Sequence, residues 1–283
     1  MKRQQVLVSD SRFLGQVLSF SFLAYLMMAP LTSISGAQDK PIRQAELLVF
    51  GEAVPDRTAV GIHIVLEPGW YLYWTNPGDA GIAPEVRWRL PAGFEASSLR
   101  YPVPGKIRHG GLVVYGYHEE VLMLGEISTT RPLKAGEKVA FAADLDWMVC
   151  RESCLLGRES LTVSPADLKP ADIRRAEDIR TRFSARFPKS ADASILVAAT
   201  ATVIKMPSRW AVEIAFSEKP ASRIGDFYPH PVEGFVIDHS RISFSPGKIK
   251  VPLTPSAASS TLTEISGILI VGSTGYEIKV PVR

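Results

Sequence analysis

The sequence is poor in the residues from which most catalytic and metal sites are built. It has two cysteines and five histidines among 283 residues, and the histidines show no metal-ligand spacing near the cysteines. It lacks a Gly-x-Ser-x-Gly nucleophile motif and a glycine-rich phosphate loop. Its formal net charge of +3 gives no basis for nucleic-acid binding. These absences argue against hydrolases, nucleotide-binding proteins and nucleic-acid-binding proteins, and the sequence predicts no cofactor.

Apolar runs long enough to cross a membrane are missing after the first 37 residues. Residues 1–37 predict a secretory signal peptide, because Lys2 and Arg3 give a basic start, residues 13–31 are mostly apolar, and small residues end at Ala37. The apolar run is also long enough for a retained N-terminal membrane anchor, so both alternatives stay open. Either one places the rest of the chain in an exported compartment, which we expect to be the periplasm, where disulfides persist.

The two cysteines, Cys150 and Cys154, follow an apolar run over residues 139–149. This pattern predicts a strand that ends in a tight turn and presents the two sulfurs together. A disulfide that closes so short a loop contributes roughly 2 kcal/mol to stability, against about 4.7 kcal/mol for a 100-residue loop. Chain entropy therefore favours a working redox pair over a structural disulfide.

Two other functions for the cysteines remain alternatives. Two thiolates do not complete a tetrahedral site, so copper(I), which accepts soft ligands at low coordination number, is the most suitable metal. A β-sandwich binding module with a purely structural disulfide is the non-enzymatic alternative. For redox chemistry, Arg151 and Arg158 would favour a thiolate and Glu152 would oppose it.

The remaining sequence consists mainly of short runs with strand-like alternation, separated by turn signals. Residues 58–66 and 210–216 are examples, and such spacing predicts antiparallel β-sandwiches. Residues 172–187 differ, because their apolar residues recur at three- and four-residue steps, as in a helix. We interpret the arginines of this helix as a solvated face. The sequence thus predicts an all-β protein of two sandwich domains joined by a short helix.

The domain boundaries follow from these patterns. They are a signal peptide at 1–37, a first sandwich domain at 38–165, a helical linker at 166–190 and a second sandwich domain at 191–283.

An aromatic run stands out in the first predicted domain. In a strand, alternation places Trp70, Leu72 and Trp74 on one face and Tyr71 and Tyr73 on the other. The run could form a binding surface near the cysteines, but we favour the interpretation that it fills the sandwich core.

Four motifs in order resemble the N-terminal periplasmic domain of DsbD-type thiol:disulfide interchange proteins, and especially the ScsB-like branch, which is linked to copper tolerance. These motifs are residues 69–81, 101–104, 115–117 and 146–154. The resemblance covers about residues 42–165 and extends more weakly to residues 226–229 in the second predicted domain.

The resemblance implies two things about the fold and the site. The sandwiches would be immunoglobulin-like, with the cysteine pair near one end of the first. Cys150 and Cys154 would be the redox pair of a protein-disulfide reductase component, with Cys154 as the nucleophile that attacks a downstream disulfide. A cap loop would shield the pair until a partner docks; its residues here are Val113, Val114, Tyr115 and Gly116.

The resemblance also implies the direction of electron transfer. Electrons would arrive from a membrane-embedded DsbD- or CcdA-like donor and pass to a periplasmic thioredoxin-fold acceptor or an oxidised substrate. Two departures leave the partners open: the cysteine spacing is shorter than in DsbD, and His109, Gly110 and Gly111 precede the cap loop, which in DsbD has acidic residues.

Overall fold

The computed structural model describes residues 40–54, 56–131, 137–191, 199–206, 209–216 and 224–283. The predicted signal peptide and the turn predicted at 132–136 lie outside these residues. Residues Lys40–Arg283 form one compact unit. The part of the chain that the structure describes contains no helix with the length and apolarity needed to cross a membrane.

Strands make up most of the regular structure, so the predicted all-β class is confirmed. The first half of the chain contains ten strands: β1 (Ile42–Val54), β2 (Arg57–Leu66), β3 (Tyr71–Gly78), β4 (Glu85–Arg89), β5 (Phe94–Ala96), β6 (Gly105–His109), β7 (Leu112–His118), β8 (Glu120–Thr129), β9 (Phe141–Cys150) and β10 (Cys154–Val163). One α-helix within the described residues, α1 (Pro170–Phe183), follows them.

The second half contains shorter strands. They are β11 (Lys189–Ser190), β12 (Ala199–Met206), β13 (Arg209–Phe216), β14 (Ile224–Pro229), β15 (Phe235–Ile237), β16 (Ser243–Ser245), β17 (Lys248–Pro255), β18 (Glu264–Val271) and β19 (Thr274–Pro281). Short 3₁₀ helices occupy Pro165–Asp167, Ser184–Arg186 and His239–Arg241.

The first half is a sandwich of two antiparallel sheets. One sheet has the order β1-β2-β8-β5, and the other has the order β10-β9-β3-β7-β6 with β4 paired to β9. Inward side chains of both sheets form one fully buried cluster, which includes Ile62 and Met123 from one sheet and Leu72 and Val149 from the other. This burial of alternate residues explains the period-two pattern of the sequence.

The second half repeats the architecture with its own core. Its sheets have the orders β11-β19-β18-β14 and β12-β13-β17-β15, with β16 paired to β17. Val212, Val251 and Ile278 lie in the cluster between them. Tyr228 and Ile268, however, join the hydrophobic cluster of the first half, so apolar packing is continuous between the halves. The predicted domain boundaries stay a prediction.

Helix α1 packs on the outer face of the sheet that contains β1, β2 and β8. Pro170 occupies the first turn, and the Asp172 carboxylate accepts a hydrogen bond from the Lys169 backbone N–H at 3.0 Å, which caps the N-terminus. The buried face consists of Ala176, Ile179 and Phe183, at the spacing that brings residues to one side of a helix. This face covers apolar side chains of the sheet, Leu48, Phe50 and Leu122.

The helix arginines are exposed, as interpreted from the sequence, and two of them also form ion pairs with the sheet. Arg175 forms an ion pair with Glu46 at 2.6 Å, and Arg182 forms one with Glu120 at 2.8 Å. Between the two carboxylates lies buried His63, whose ring nitrogens are 3.2 Å from Glu46 and 3.1 Å from Glu120. The sheet carries these carboxylates at partly buried positions, and buried charges require partners. The helix supplies the partners.

The Glu46 network should make stability depend on acid pH. Burial alone would raise the pKa of Glu46, but hydrogen bonds from Arg175 and His63 lower it to about 2. Because the pKa is lower in the folded protein, the stabilisation is present above the unfolded value of 4.5 and is lost as pH falls towards 2. At pH 6 the unfolding temperature of wild type should be higher than that of Glu46→Gln. The difference between the two unfolding temperatures should vanish near pH 2.

Glu95 provides the control for this prediction, because it is exposed on the short strand β5. The unfolding temperature of Glu95→Gln should change with pH in the same way as that of wild type over the same pH range. A difference between wild type and Glu46→Gln that stays constant from pH 6 to pH 2 would contradict the assignment.

Candidate functional site

The two cysteines lie at the end of the β9–β10 hairpin. Cys150 is the last residue of β9 and Cys154 is the first of β10, and the two are register partners. A three-residue turn joins them, with a hydrogen bond from the Arg151 N–H to the Ser153 carbonyl oxygen at 3.2 Å. The cysteines form a disulfide with their Cα atoms 4.1 Å apart. The predicted strand and tight turn are therefore confirmed.

The two sulfur-bearing residues differ in exposure. Cys150 is only 2% exposed, whereas Cys154 is an exposed residue at the start of an edge strand. Disulfide exchange begins when a thiolate reaches one particular sulfur, so accessibility selects the reacting atom. The geometry therefore makes Cys154 the residue that a large partner can reach, and Cys150 the residue that stays within the protein.

The aromatic strand β3 places its two faces in different surroundings, as alternation predicts. Trp70, Leu72 and Trp74 lie in the core of the first sandwich. Tyr71 and Tyr73 point to the opposite face of the sheet and form a small buried cluster with Val114 and Cys150, a set that we call the cysteine cluster. The core-filling interpretation is confirmed for Trp70, Leu72 and Trp74. Tyr71 and Tyr73 lie beside Cys150, but they are buried and form no exposed binding surface.

Tyr73 is the side chain in direct contact with the disulfide. Its hydroxyl oxygen lies 3.2 Å from the Cys150 Sγ, 3.9 Å from the Cys154 Sγ and 3.4 Å from the Tyr71 hydroxyl. Burial and the contact with Tyr71 raise the pKa of Tyr73 well above its ordinary value. The phenol therefore keeps its proton and can donate a hydrogen bond to a sulfur, which stabilises the thiolate form after reduction.

The residues assigned to a cap loop lie in a strand, so this part of the prediction is corrected. Val113, Val114, Tyr115 and Gly116 belong to β7, which pairs with β3 on one side and β6 on the other. The three side chains are buried, and of these only Val114 joins the cysteine cluster. Val113 and Tyr115 face the sandwich core, because neighbouring residues of a strand point to opposite faces.

Other residues cover the cysteine cluster. Ile107 of β6, Met148 of β9 and Ala80 pack against it. Ala80 belongs to the segment 76–81, which consists of the last three residues of β3 and the three residues that follow, and which we call the tethered loop. Gly81 in this loop has a φ of +106°, and a Cβ there would lie 2.2 Å from the Tyr73 ring. Glycine thus allows the loop backbone to lie directly on Tyr73. No pattern in the sequence indicates that this loop, rather than residues 113–116, contacts the phenol.

An apolar hollow opens at the hairpin and includes Leu156, two residues from Cys154 along β10. It has a volume of about 380 Å³, and Ile82, Leu156 and Trp147 contribute to its lining. Leu156 is 69% exposed and Ile82 is 53% exposed. Alternation along β10 puts Leu156 on the same face as Cys154. Large apolar side chains this exposed beside a reactive group favour contact with another protein.

The charged side chains near the hairpin have partners other than the sulfurs. Arg158 pairs with Asp146, and Arg87 from β4 pairs with the same carboxylate. Hydrogen bonds from these two arginines lower the pKa of Asp146 to about 2. The guanidinium of Arg151 lies 4.9 Å from the centre of the Trp70 ring. Tyr73 is therefore a polar group in direct contact with the disulfide, whereas Arg158 pairs with Asp146.

Metal binding gains no support from the geometry. Within the described ranges, no group of three or more histidine, cysteine, aspartate or glutamate side chains could hold a metal ion. The copper(I) alternative thus has no additional ligand of these types near Cys150 and Cys154.

Comparison with known proteins adds a family to this geometry. Residues 40–165 match the family model described as the N-terminal part of the thiol:disulfide interchange protein DsbD. This segment is similar to the DsbD N-terminal family. The resemblance drawn from the four sequence motifs is thereby confirmed, and the hairpin of Cys150 and Cys154 lies inside the family segment. No curated protein sequence matched the chain.

Two solved structures are similar to this chain. The N-terminal periplasmic domain of ScsB from Proteus mirabilis has 17% sequence identity and a TM-score of 0.64, and the match covers 83% of this chain and 91% of that one. The reduced N-terminal domain of DsbD from Neisseria meningitidis has 14% identity and a TM-score of 0.26, and the match covers 44% of this chain and 91% of that one. The ScsB match indicates a shared fold over most of the chain.

Tyr73→Phe should isolate the contribution of the phenol. The variant keeps the ring and removes the hydroxyl, so the thiolate of the reduced protein loses a donor. Alkylation of the reduced protein by iodoacetamide at pH 7 should become about tenfold slower, the factor that corresponds to 1.4 kcal/mol from one hydrogen bond to a charged group. Tyr71→Phe is the matched control, because the hydroxyl that it removes contacts the Tyr73 hydroxyl. Equal rates in both variants would contradict a direct role for Tyr73.

Proposed function

We propose that this chain is an exported thiol-disulfide interchange protein. The Cys150–Cys154 pair accepts electrons from a membrane-embedded donor and passes them to a periplasmic thioredoxin-fold protein or another oxidised substrate. The observation that carries the proposal is the asymmetric disulfide, with one buried and one exposed cysteine, inside a DsbD N-terminal family segment. The predicted signal peptide and the similarity to the periplasmic ScsB domain support the location.

The proposed exchange has two steps that conserve electrons. In the reduced protein, the Cys154 thiolate attacks one sulfur of the partner disulfide, which forms a mixed disulfide and releases the other partner sulfur as a thiolate. The Cys150 thiolate then attacks the Cys154 sulfur, re-forms the Cys150–Cys154 disulfide and releases the second partner thiolate. The partner gains two electrons, and this chain loses two.

Each protein group has a part in these steps. Tyr73 lies within reach of both sulfurs, so its hydroxyl can stabilise whichever thiolate forms. The hairpin register keeps Cys150 next to Cys154, which makes the second step intramolecular and fast. The hollow at Ile82 and Leu156 offers an apolar contact for the partner two residues along β10 from the reacting cysteine. A partner that docks there would bring its own disulfide to Cys154 without unfolding the hairpin.

The reduction potential of the Cys150–Cys154 pair tests the proposal. Equilibration against glutathione or dithiothreitol buffers should give a value between roughly −180 and −270 mV, the range of exchange proteins. A value below about −300 mV, which is typical of structural disulfides, would contradict the proposal. The double variant Cys150→Ser/Cys154→Ser is the control, and it should stay folded, because so short a disulfide contributes only about 2 kcal/mol.

A further inference from the structure

The tethered loop, residues 76–81, is bonded to the second half of the chain by two side chains. The Asn76 amide donates a hydrogen bond of 2.7 Å to the Pro229 carbonyl oxygen. The Asp79 carboxylate accepts a hydrogen bond of 3.0 Å from the backbone N–H of His239. Both second-half partners are backbone groups, so their positions are set by the fold of that half. The loop therefore takes its position partly from strands and turns that lie far away in sequence.

The same loop is also fixed to the first half. The second oxygen of Asp79 accepts a hydrogen bond of 2.8 Å from the Val113 N–H, and the Asp79 N–H donates to the Val113 carbonyl oxygen at 2.8 Å. Gly78 lies so close to β7 that a Cβ would be 2.4 Å from the Val113 carbonyl oxygen. Asp79 thus joins three segments: its own loop, β7 and the 3₁₀ helix that begins at His239.

The other end of the tethered loop lies on the redox site. Gly81 packs against the Tyr73 ring, and Ala80 packs against the cysteine cluster. Tyr73 in turn contacts both sulfurs. A continuous series of contacts therefore runs from the His239 backbone through Asp79 and Gly81 to the phenol and the disulfide. Because packed side chains and backbone leave little free space, a shift of the loop must be taken up by Tyr73.

We propose that the second half of the chain is a brace for the redox site, with Asp79 as the positioning residue. Asp79 does not touch the sulfurs. It transmits the position of the His239–Arg241 turn to the tethered loop, which keeps the Tyr73 hydroxyl on the disulfide and limits access to it. The inference rests on the proposed function only in taking the disulfide as redox-active, and it gives the second half a role that its own sequence does not reveal.

A matched pair of substitutions at His239 separates the brace from other effects. His239 is the first residue of a 3₁₀ helix, and proline is tolerated at the first position of a helix. His239→Pro and His239→Ala both remove the imidazole, which lies 3.2 Å from the Tyr115 hydroxyl. Only His239→Pro also removes the backbone N–H that donates a hydrogen bond to Asp79. The difference between the variants therefore reports the hydrogen bond to Asp79.

Two measurements on the full chain distinguish the variants. Reduction of the disulfide by dithiothreitol should be about fivefold faster in His239→Pro than in His239→Ala, the factor expected for one lost hydrogen bond. The pH profile of Cys154 alkylation in the reduced protein should move to higher pH in His239→Pro, in the same direction as in Tyr73→Phe. If the hydrogen bond from His239 to Asp79 only stabilised the fold, His239→Pro would have a lower unfolding temperature and an unchanged pH profile of Cys154 alkylation.

A second pair keeps the test decisive if His239→Pro does not fold. Asp79→Asn loses one of the two carboxylate acceptors of the brace, whereas Lys106→Met removes the ion pair with Asp226, a contact between the halves at 2.6 Å that lies outside the tethered loop. Reduction should be faster in Asp79→Asn alone. Equal rates and profiles within the pairs would overturn the brace, even if the wild type exchanges disulfides with proteins. Failure of the wild type to exchange would overturn the proposed function and leave the brace result standing.

Discussion

Cys154→Ser should abolish disulfide exchange with protein partners, whereas Cys150→Ser should convert the chain into a trap for them. The exposed sulfur of Cys154 is the one that a partner can reach, and without it the buried Cys150 has no access to a partner disulfide. In Cys150→Ser the first step remains but the resolving thiolate is gone, so a mixed disulfide should accumulate. Both serine variants remove the same intramolecular disulfide, so loss of the disulfide cannot by itself explain a difference in trapping between them.

The measurement is non-reducing gel electrophoresis after incubation of each reduced variant with an oxidised thioredoxin-fold protein. A covalent complex that disappears on addition of dithiothreitol is expected for Cys150→Ser alone. The double serine variant is the negative control. If Cys154→Ser traps the partner as well as Cys150→Ser does, the assignment of Cys154 as the nucleophile is wrong. If neither variant traps a partner after repeated trials with several oxidised proteins, the proposal of disulfide exchange loses its main support.

Gly116→Ala should be among the most destabilising single substitutions in the first half. A Cβ at this position would lie 2.3 Å from the Leu72 carbonyl oxygen, and the neighbouring atoms are backbone of β3, which cannot rotate away. Strands β3 and β7 would have to separate, at a cost of about 3 kcal/mol, the upper end of what overpacking usually costs. For a chain of this size the unfolding temperature should fall by roughly 6–12 °C.

The redox site should change together with stability in this variant. The separated strands carry Tyr73 and Val114, which flank Cys150. Below the unfolding temperature we therefore expect faster reduction of the disulfide by dithiothreitol than in wild type. Gly225→Ala is the control, because a Cβ there would meet its nearest atom at an ordinary 3.7 Å. An unfolding temperature for Gly116→Ala within about 2 °C of the Gly225→Ala value would contradict this account.

The local features of the site could be predicted from the sequence because they depend on alternation. An apolar run that ends at Cys150 gives a strand, and three residues before Cys154 leave room only for a turn. The same rule separates Tyr71 and Tyr73 from the neighbouring tryptophans. It does not say which of the two faces meets the cysteines, because that depends on the order of β9, β3 and β7 in the sheet.

Features that depend on contacts between residues far apart in the sequence could not be predicted. The exposure of the helix arginines follows from the sequence, but the ion pairs of two of them do not, because Glu46 and Glu120 are far from the helix in sequence. Residues 113–116 were assigned to a loop through the family resemblance, but two neighbouring strands hold them in the sheet. The hydrogen bond of Asp79 to His239 spans 160 positions. No local pattern in the sequence indicates such a contact.

Helix α1 has a consequence for how the family segment is isolated. The matched segment ends at residue 165, five residues before the helix begins. A fragment cut there would leave Leu48, Phe50 and Leu122 open to water and would strip Glu46 and Glu120 of their arginine partners. Such a fragment would be a poor target for expression or crystallisation. A soluble single-sandwich protein would need to continue at least through Phe187, so its useful boundary lies about two dozen residues beyond the family boundary.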